Sequence, residues 1–188
     1  MAENKVQFNL KNVHYAVLTE GVDTQGQPTF TYATPVHVPG AVSLSLDAEG
    51  EVTPFYADGI VYYNAISNNG YSGNLEMARF PDQMLKDIWG FDLDAAYVLT
   101  EKADEEPKSF ALLYQIDGDS EENLYVLYKC NATRPGVGSS TLEDTKEPVT
   151  QTSEISATPR ADMKILGKTT TTCTTATRNG WFSAVYDA

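Results

Sequence analysis

The sequence predicts a mainly β domain, of the sandwich or barrel kind, with one short flanking helix. Three observations predict it. Apolar and polar residues alternate with a period of two over several stretches, the mark of half-buried strands. Two further runs, Phe110 to Ile116 and Leu124 to Cys130, are apolar at nearly every position, as strands covered on two sides are. Only one segment, Pro81 to Trp89, spaces its apolar residues for a helix. A hydrophobic share of 41% excludes a disordered chain, and 188 residues suffice for one domain with a sizeable core. No repeat or linker divides the sequence, so a single domain over 1–188 is expected.

Taken in order, Ser43-Leu44-Ser45-Leu46 alternates cleanly. The segment Asp47 to Gly59 has turn residues, several acids and the pair Phe55-Tyr56 without a period. It reads as a long loop whose aromatics pack on something, because loops of this length in compact domains are functional or disordered. Ile60-Val61-Tyr62-Tyr63 is β-branched and aromatic, as strands prefer. Ser67-Asn68-Asn69-Gly70 then predicts a hairpin turn into a strand over Tyr71–Arg79, since Asn-Gly tolerates positive φ. In that strand Leu75 and Met77 share one face, and Asn74 and Glu76 the other.

Helix 81–89 follows: proline suits its start, Asp82 its positive end, and Gly90 its stop. Met84, Leu85, Ile88 and Trp89 form its apolar stripe. The runs from Phe110 and Leu124 flank the polar turn Asp117–Asn123 and predict a hairpin. They are either central strands or strands with one face on a partner chain. Arg134 to Gln151 reads as a second long, polar loop. After the threonine-rich stretch 169–177, Trp181-Phe182 and Val185-Tyr186 predict a last strand returning to the sheet.

Charge excludes several functions. Thirteen Lys+Arg against 26 Asp+Glu leave a net charge of −13, unsuited to gripping nucleic-acid phosphates or anionic lipid. No apolar run approaches the ~18–20 residues of a membrane span, and no signal-peptide pattern opens the chain. Cys130 and Cys173 are expected to be free thiols. His14 and His37 sit among strand formers with no second His or Cys at ligand spacing, so no metal site is expected. Gly70-Tyr71-Ser72-Gly73 is not a nucleophile elbow, and Gly136-Val137-Gly138-Ser139-Ser140 lacks the lysine of a phosphate loop. Asp117, Asp119 and Glu121 match the start of a calcium loop. However, Glu122 stands where that loop needs glycine, and Tyr128 where it needs a bidentate carboxylate. Asn131-Ala132-Thr133 is a formal glycosylation acceptor with no secretion route to use it. No catalytic, cofactor-binding or metal residue is therefore expected. What remains is aromatic surface: there are 11 tyrosines and 2 tryptophans, and Phe55, Tyr56, Tyr62 and Tyr71 are hard to place in a core because three of them lie in or beside turns.

A resemblance gives this surface a context. The residues Gly40–Gly50, Phe55–Gly59, Asn68–Gly73 and Pro81–Gly90, continuing through Ser109–Tyr114 and Tyr128–Gly136, resemble the phi-thirteen type of major tail protein. That family belongs to long-tailed phages and prophages of Gram-positive bacteria. The resemblance implies a tail-tube sandwich or barrel with long assembly loops, and no catalytic motif or cofactor. It implies stacked hexameric rings that form a non-contractile tube around a tape-measure protein and meet tail terminator and distal tail proteins. Genome DNA would pass through without specific binding and without a membrane partner. The protein would reside in the virion tail after assembly in the host bacterial cytoplasm. The extra C-terminal immunoglobulin-like domain of some relatives is not expected here. In this frame Phe55, Tyr56, Tyr62, Tyr71 and Arg134 are the expected subunit or ring contacts, and Asp47, Glu49, Glu51 and Glu76 the expected lumen-facing acids. The alternatives are a cell-surface or secreted β-sandwich adhesion module, a capsid decoration protein, or an acidic enzyme with a hidden site.

Overall fold

The computed structural model describes residues 4–141 and 148–187. Strands dominate, as expected: β1 (Gln7–Val22), β2 (Pro28–Tyr32), β3 (Val36–His37), β4 (Ala41–Glu49), β5 (Val52–Ala57), β6 (Ile60–Ile66) and β7 (Gly70–Met77) precede helix α1 (Asp82–Trp89). After it come β8 (Asp92–Leu93), β9 (Leu99–Thr100), β10 (Phe110–Gly118), β11 (Glu122–Ala132), β12 (Gln151–Ala157), β13 (Leu166–Lys168) and a short helix α2 (Thr175–Gly180). The main sheet is antiparallel and runs β2-β1-β10-β11-β12-β7-β4, with β3 added to β1 and β13 to β11.

This sheet curls on itself. β3 pairs with β1, while β4, three residues further along the same chain segment, pairs with β7. Val38 N–H donates to the Val13 carbonyl (2.8 Å) and Ala78 N–H to the Gly40 carbonyl (2.7 Å), so one continuous segment ties the two sides of the curl together. Leu75, Met77 and Ile155 from one side share a single core with Val13, Tyr15, Phe110 and Leu112 from the other. That shared cluster marks the enclosed side of a barrel-like sheet.

The two apolar runs are explained by a second core. Phe110, Leu112 and Tyr114 of β10 face the enclosed cluster. Ala111 and Leu113 face outward, where Leu124, Val126, Tyr128 and Trp181 join them. Both faces of β10 and β11 are thus covered within the chain, the first of the two expected alternatives.

Helix α1 closes the enclosed core with Met84, Ile88 and Trp89 buried and Leu85 packed at its margin. Trp89 meets Phe80 edge to face at 5.5 Å and donates its indole N–H to the Ala132 carbonyl at 3.0 Å. Pro81 occupies the N-cap rather than the first helical position, and Gly90, at φ 71°, ends the helix in the left-handed conformation that glycine favours. The thiols of Cys130 and Cys173 are both free.

Three local expectations are corrected. Ser67–Gly70 is not a hairpin turn: β6 pairs with β5, whereas β7 pairs with β4 and β12. The turn that wins is Asp58-Gly59, with φ 52° and 77°, the double positive φ of a two-residue hairpin loop joining Ala57 to Ile60. The Asp47–Gly59 segment is consequently strand and tight turn, not a loop. The C-terminal residues form α2 and turns instead of a strand. Thr174 caps α2 by accepting from Thr177 N–H (3.2 Å), and Trp181 then drops into the second core. Part of the expected Arg134–Gln151 loop, residues 142–147, lies outside the described residues.

Candidate assembly surfaces

The strongest surface feature is an arm. β4 and β7 are hydrogen-bonded partners in the body, and the chain between them runs out and back as the β5–β6 hairpin. Ser67 N–H to the Glu51 carbonyl (3.0 Å) and Asn69 N–H to the Glu49 carbonyl (2.8 Å) carry the ladder across the junction. At about 3.3 Å per residue, six-residue β5 extends roughly 20 Å.

Its composition is unusual for solvated structure. An antiparallel hairpin in water normally keeps one polar face. Residues opposed across a ladder share a face. One face of the arm therefore carries Val52, Pro54 and Ile66, with one polar residue, Asn64, and with Tyr56 and Val61 nearer the tip. The other carries Thr53, Phe55, Tyr63 and Ala65, then Ala57 and Ile60. Tyr62 is the extra residue of a bulge opposite Phe55 and Tyr56. No charged residue lies within β5 or β6. The large apolar residues here remain exposed, from 46% at Val61 to 77% at Ile66.

The second surface is polar. Along β4, β7 and β12 the inward set is mostly apolar, with Gln151 and the buried Ser153 among it, while the outward set comprises Ser43, Ser45, Asp47, Glu49, Ser72, Asn74, Glu76, Thr152, Glu154 and Ser156, aligned by register. Four carboxylates stand among hydroxyls and one amide, and none of these three strands contains Lys or Arg. Glu76 accepts from Thr150 Oγ1 (2.6 Å) and Ser43 Oγ (2.9 Å), bonds that hold its carboxyl below the usual range. Glu49 accepts from the Ser72 hydroxyl.

The expected site residues therefore separate into groups. Phe55, Tyr56 and Tyr62 belong to the arm. Tyr71, at the arm's base, is half-buried and packs against the enclosed core. Arg134 lies after β11 and is ion-paired with Glu101. Asp47, Glu49 and Glu76 share the polar face, while Glu51 sits in the junction between β4 and β5. Sequence reasoning missed Tyr63, Ile60 and Ile66 of the arm, and Glu154 of the polar face. The alternation Thr152-Ser153-Glu154-Ile155-Ser156 was the signal for Glu154, with Ser153 and Ile155 buried and the others outward.

Behind the body, the C-terminal segment straps the second core. Arg160, almost fully buried, is held bidentately by Asp162 (2.8 and 2.5 Å) and by Asp187 (2.6 and 2.8 Å). It also donates to Tyr32 Oη (2.9 Å) and lies 4.0 Å from the centre of the Phe30 ring. The guanidinium holds the Asp162 carboxyl down to about 2 and lowers that of Asp187. Lys164 adds a bond to Asp187 at 2.8 Å.

The acidic turn after β10 serves local structure. Asp117 takes Lys11 Nζ at 2.5 Å and Asn9 Nδ2 at 2.9 Å. The Asn4 side chain accepts from Ser120 and Glu121 N–H and donates to the Glu121 carbonyl. The two histidines, 23 positions apart in sequence, are brought into direct register across β1 and β3.

Comparison with protein-family models returns no match to this chain, and no curated protein matches it either. The surfaces above define the class: a β-barrel-like domain with a projecting apolar arm and an acidic, hydroxyl-rich sheet face.

Proposed function

We propose that the chain is a structural subunit that polymerises with copies of itself into stacked hexameric rings, the tube of a phage tail. One observation carries the self-assembly: the β5–β6 arm is predominantly apolar on both faces and has no cover among the described residues. A hairpin of this kind needs surface on two sides, which a neighbouring subunit and the next ring supply together. Aromatic anchors dominate such contacts, so Phe55, Tyr56, Tyr62 and Tyr63 are the residues that hold the arm in place.

The polar face of β4, β7 and β12 supports the tube reading, alongside the family resemblance. Placed toward the lumen, Asp47, Glu49, Glu76 and Glu154 repel phosphates, and the wall offers no cation with which DNA would release counterions and stick. The duplex then slides. The second edge of β4 has no strand partner among the described residues, so strand pairing between subunits continues the sheet around the ring.

Negative-stain microscopy of the purified chain tests the reading. Hollow tubes or six-fold rings are expected. A persistent monomer at all concentrations overturns it in favour of the adhesion module.

A further inference from the structure

The geometry points to a site for a divalent transition-metal cation, of the zinc, nickel and copper class, at His14 and His37. The two residues are directly opposed on antiparallel strands. The adjacent pair Val13–Val38 is bonded through Val38 N–H to the Val13 carbonyl, which makes His14–His37 a pair without ladder bonds. Side chains in such pairs approach most closely, with Cα atoms about 4.5 Å apart. The imidazole centres are 4.9 Å apart. Two imidazoles bound to one ion at about 2.0–2.1 Å, at angles between square and tetrahedral, have centres about 4.5–5.2 Å apart. The rings already stand at the spacing of a chelate.

The tautomer fits as well. His14 Nδ1 is 2.8 Å from the Asn12 carbonyl, an acceptor, so Nδ1 carries the proton and Nε2 keeps its lone pair. A ligating histidine commonly has this arrangement, its second nitrogen donating to a backbone carbonyl. No hydrogen bond occupies Nε2 among the described residues. Phe182 stacks on the His14 ring at 4.5 Å, fixing its plane from the C-terminal strap. Two imidazoles give a partial coordination shell, and water completes it. The site is independent of the tail-tube reading, because it lies within one chain.

The test is calorimetric titration of the purified full chain with ZnCl2 or NiCl2, in a Cys173→Ser background that removes the half-exposed thiol. One saturable site per chain is expected, lost in His37→Gln and in His14→Phe, with the His14 and His37 ring signals shifting in NMR. His37 is exposed and His14→Phe keeps a ring against Phe182, so both variants are expected to retain the wild-type melting curve. MgCl2, which favours carboxylates over imidazole, is expected to give no saturable site and no ring shifts. The proposal is overturned if zinc and nickel give no saturable site. An unchanged isotherm in His37→Gln also overturns it, by assigning the binding to carboxylates of this acidic chain.

Discussion

Replacing Phe55 and Tyr56 together by alanine separates folding from assembly. The two side chains are 61% and 63% exposed in the single chain. Aromatic side chains carry about 150–250 Å² each, so this pair leaves roughly 250 Å² of surface in water. Burying that area against a neighbour at about 25 cal/mol per Å² contributes about 6 kcal/mol per arm. Alanine retains a fraction of the contact, and the net loss is about 4 kcal/mol, or roughly a thousandfold in the association constant. Within the isolated subunit the same substitutions change stability by no more than about 0.5 kcal/mol, because they remove little buried surface. Sedimentation and negative-stain microscopy over a concentration series measure the first quantity, and denaturant unfolding of the subunit measures the second. Tubes that form at the wild-type concentration would refute the arm's role. A subunit that loses several kcal/mol would show that the arm is part of the fold.

Three further outcomes follow from other parts of the molecule. Trp89→Ala removes a buried indole and its bond to Ala132, and is expected to cost about 3–5 kcal/mol in denaturant unfolding; Leu85→Ala, at the core's margin, costs less. A shift under about 1 kcal/mol for Trp89→Ala would contradict the placement of α1. The Asp162 and Asp187 carboxyls are depressed in the folded chain, so their stabilisation is complete above the ordinary aspartate value of about 3.9 and is lost as pH falls toward the folded value. For Asp162 that folded value is about 2, so Trp181 fluorescence should report strap release between about pH 4 and pH 2, and Asp162→Asn should flatten the transition. An unchanged acid transition in that variant would remove the clamp from the explanation. In phage carrying Glu76→Lys and Glu154→Lys, DNA ejection is expected to slow and to become more salt-dependent; wild-type ejection rates would count against a lumenal position for the polar face.

Much of the fold was legible. The α1 stripe and the inward set Leu75 and Met77 follow from local periodicity, because burial there repeats at the period of the backbone, and the β10–β11 hairpin follows from two continuous apolar runs about a polar turn. The arm was not legible as a hairpin. Asp58-Gly59 is a strong turn signal, yet the flanking residues do not alternate, since both faces of the arm are predominantly apolar. The Asn-Gly pair at 69–70 offered a competing turn, and only the closure of β4 on β7 excludes it. The strap was misread for a related reason. Trp181, Phe182, Val185 and Tyr186 are apolar because they cover the outer side of β10 and β11 or lie beside that cover, and side-chain burial alone does not require a strand.

The division between the two levels is physical. Composition and periodicity settle the class of fold and the excess of negative charge, for these depend on residue types and their local spacing. Which strands pair, and therefore which acids share a face and which aromatics stay uncovered, depends on register between segments far apart in the chain. His14 and His37 show this at the smallest scale. Nothing in their spacing brings them together, and the ladder between β1 and β3 places their rings 4.9 Å apart.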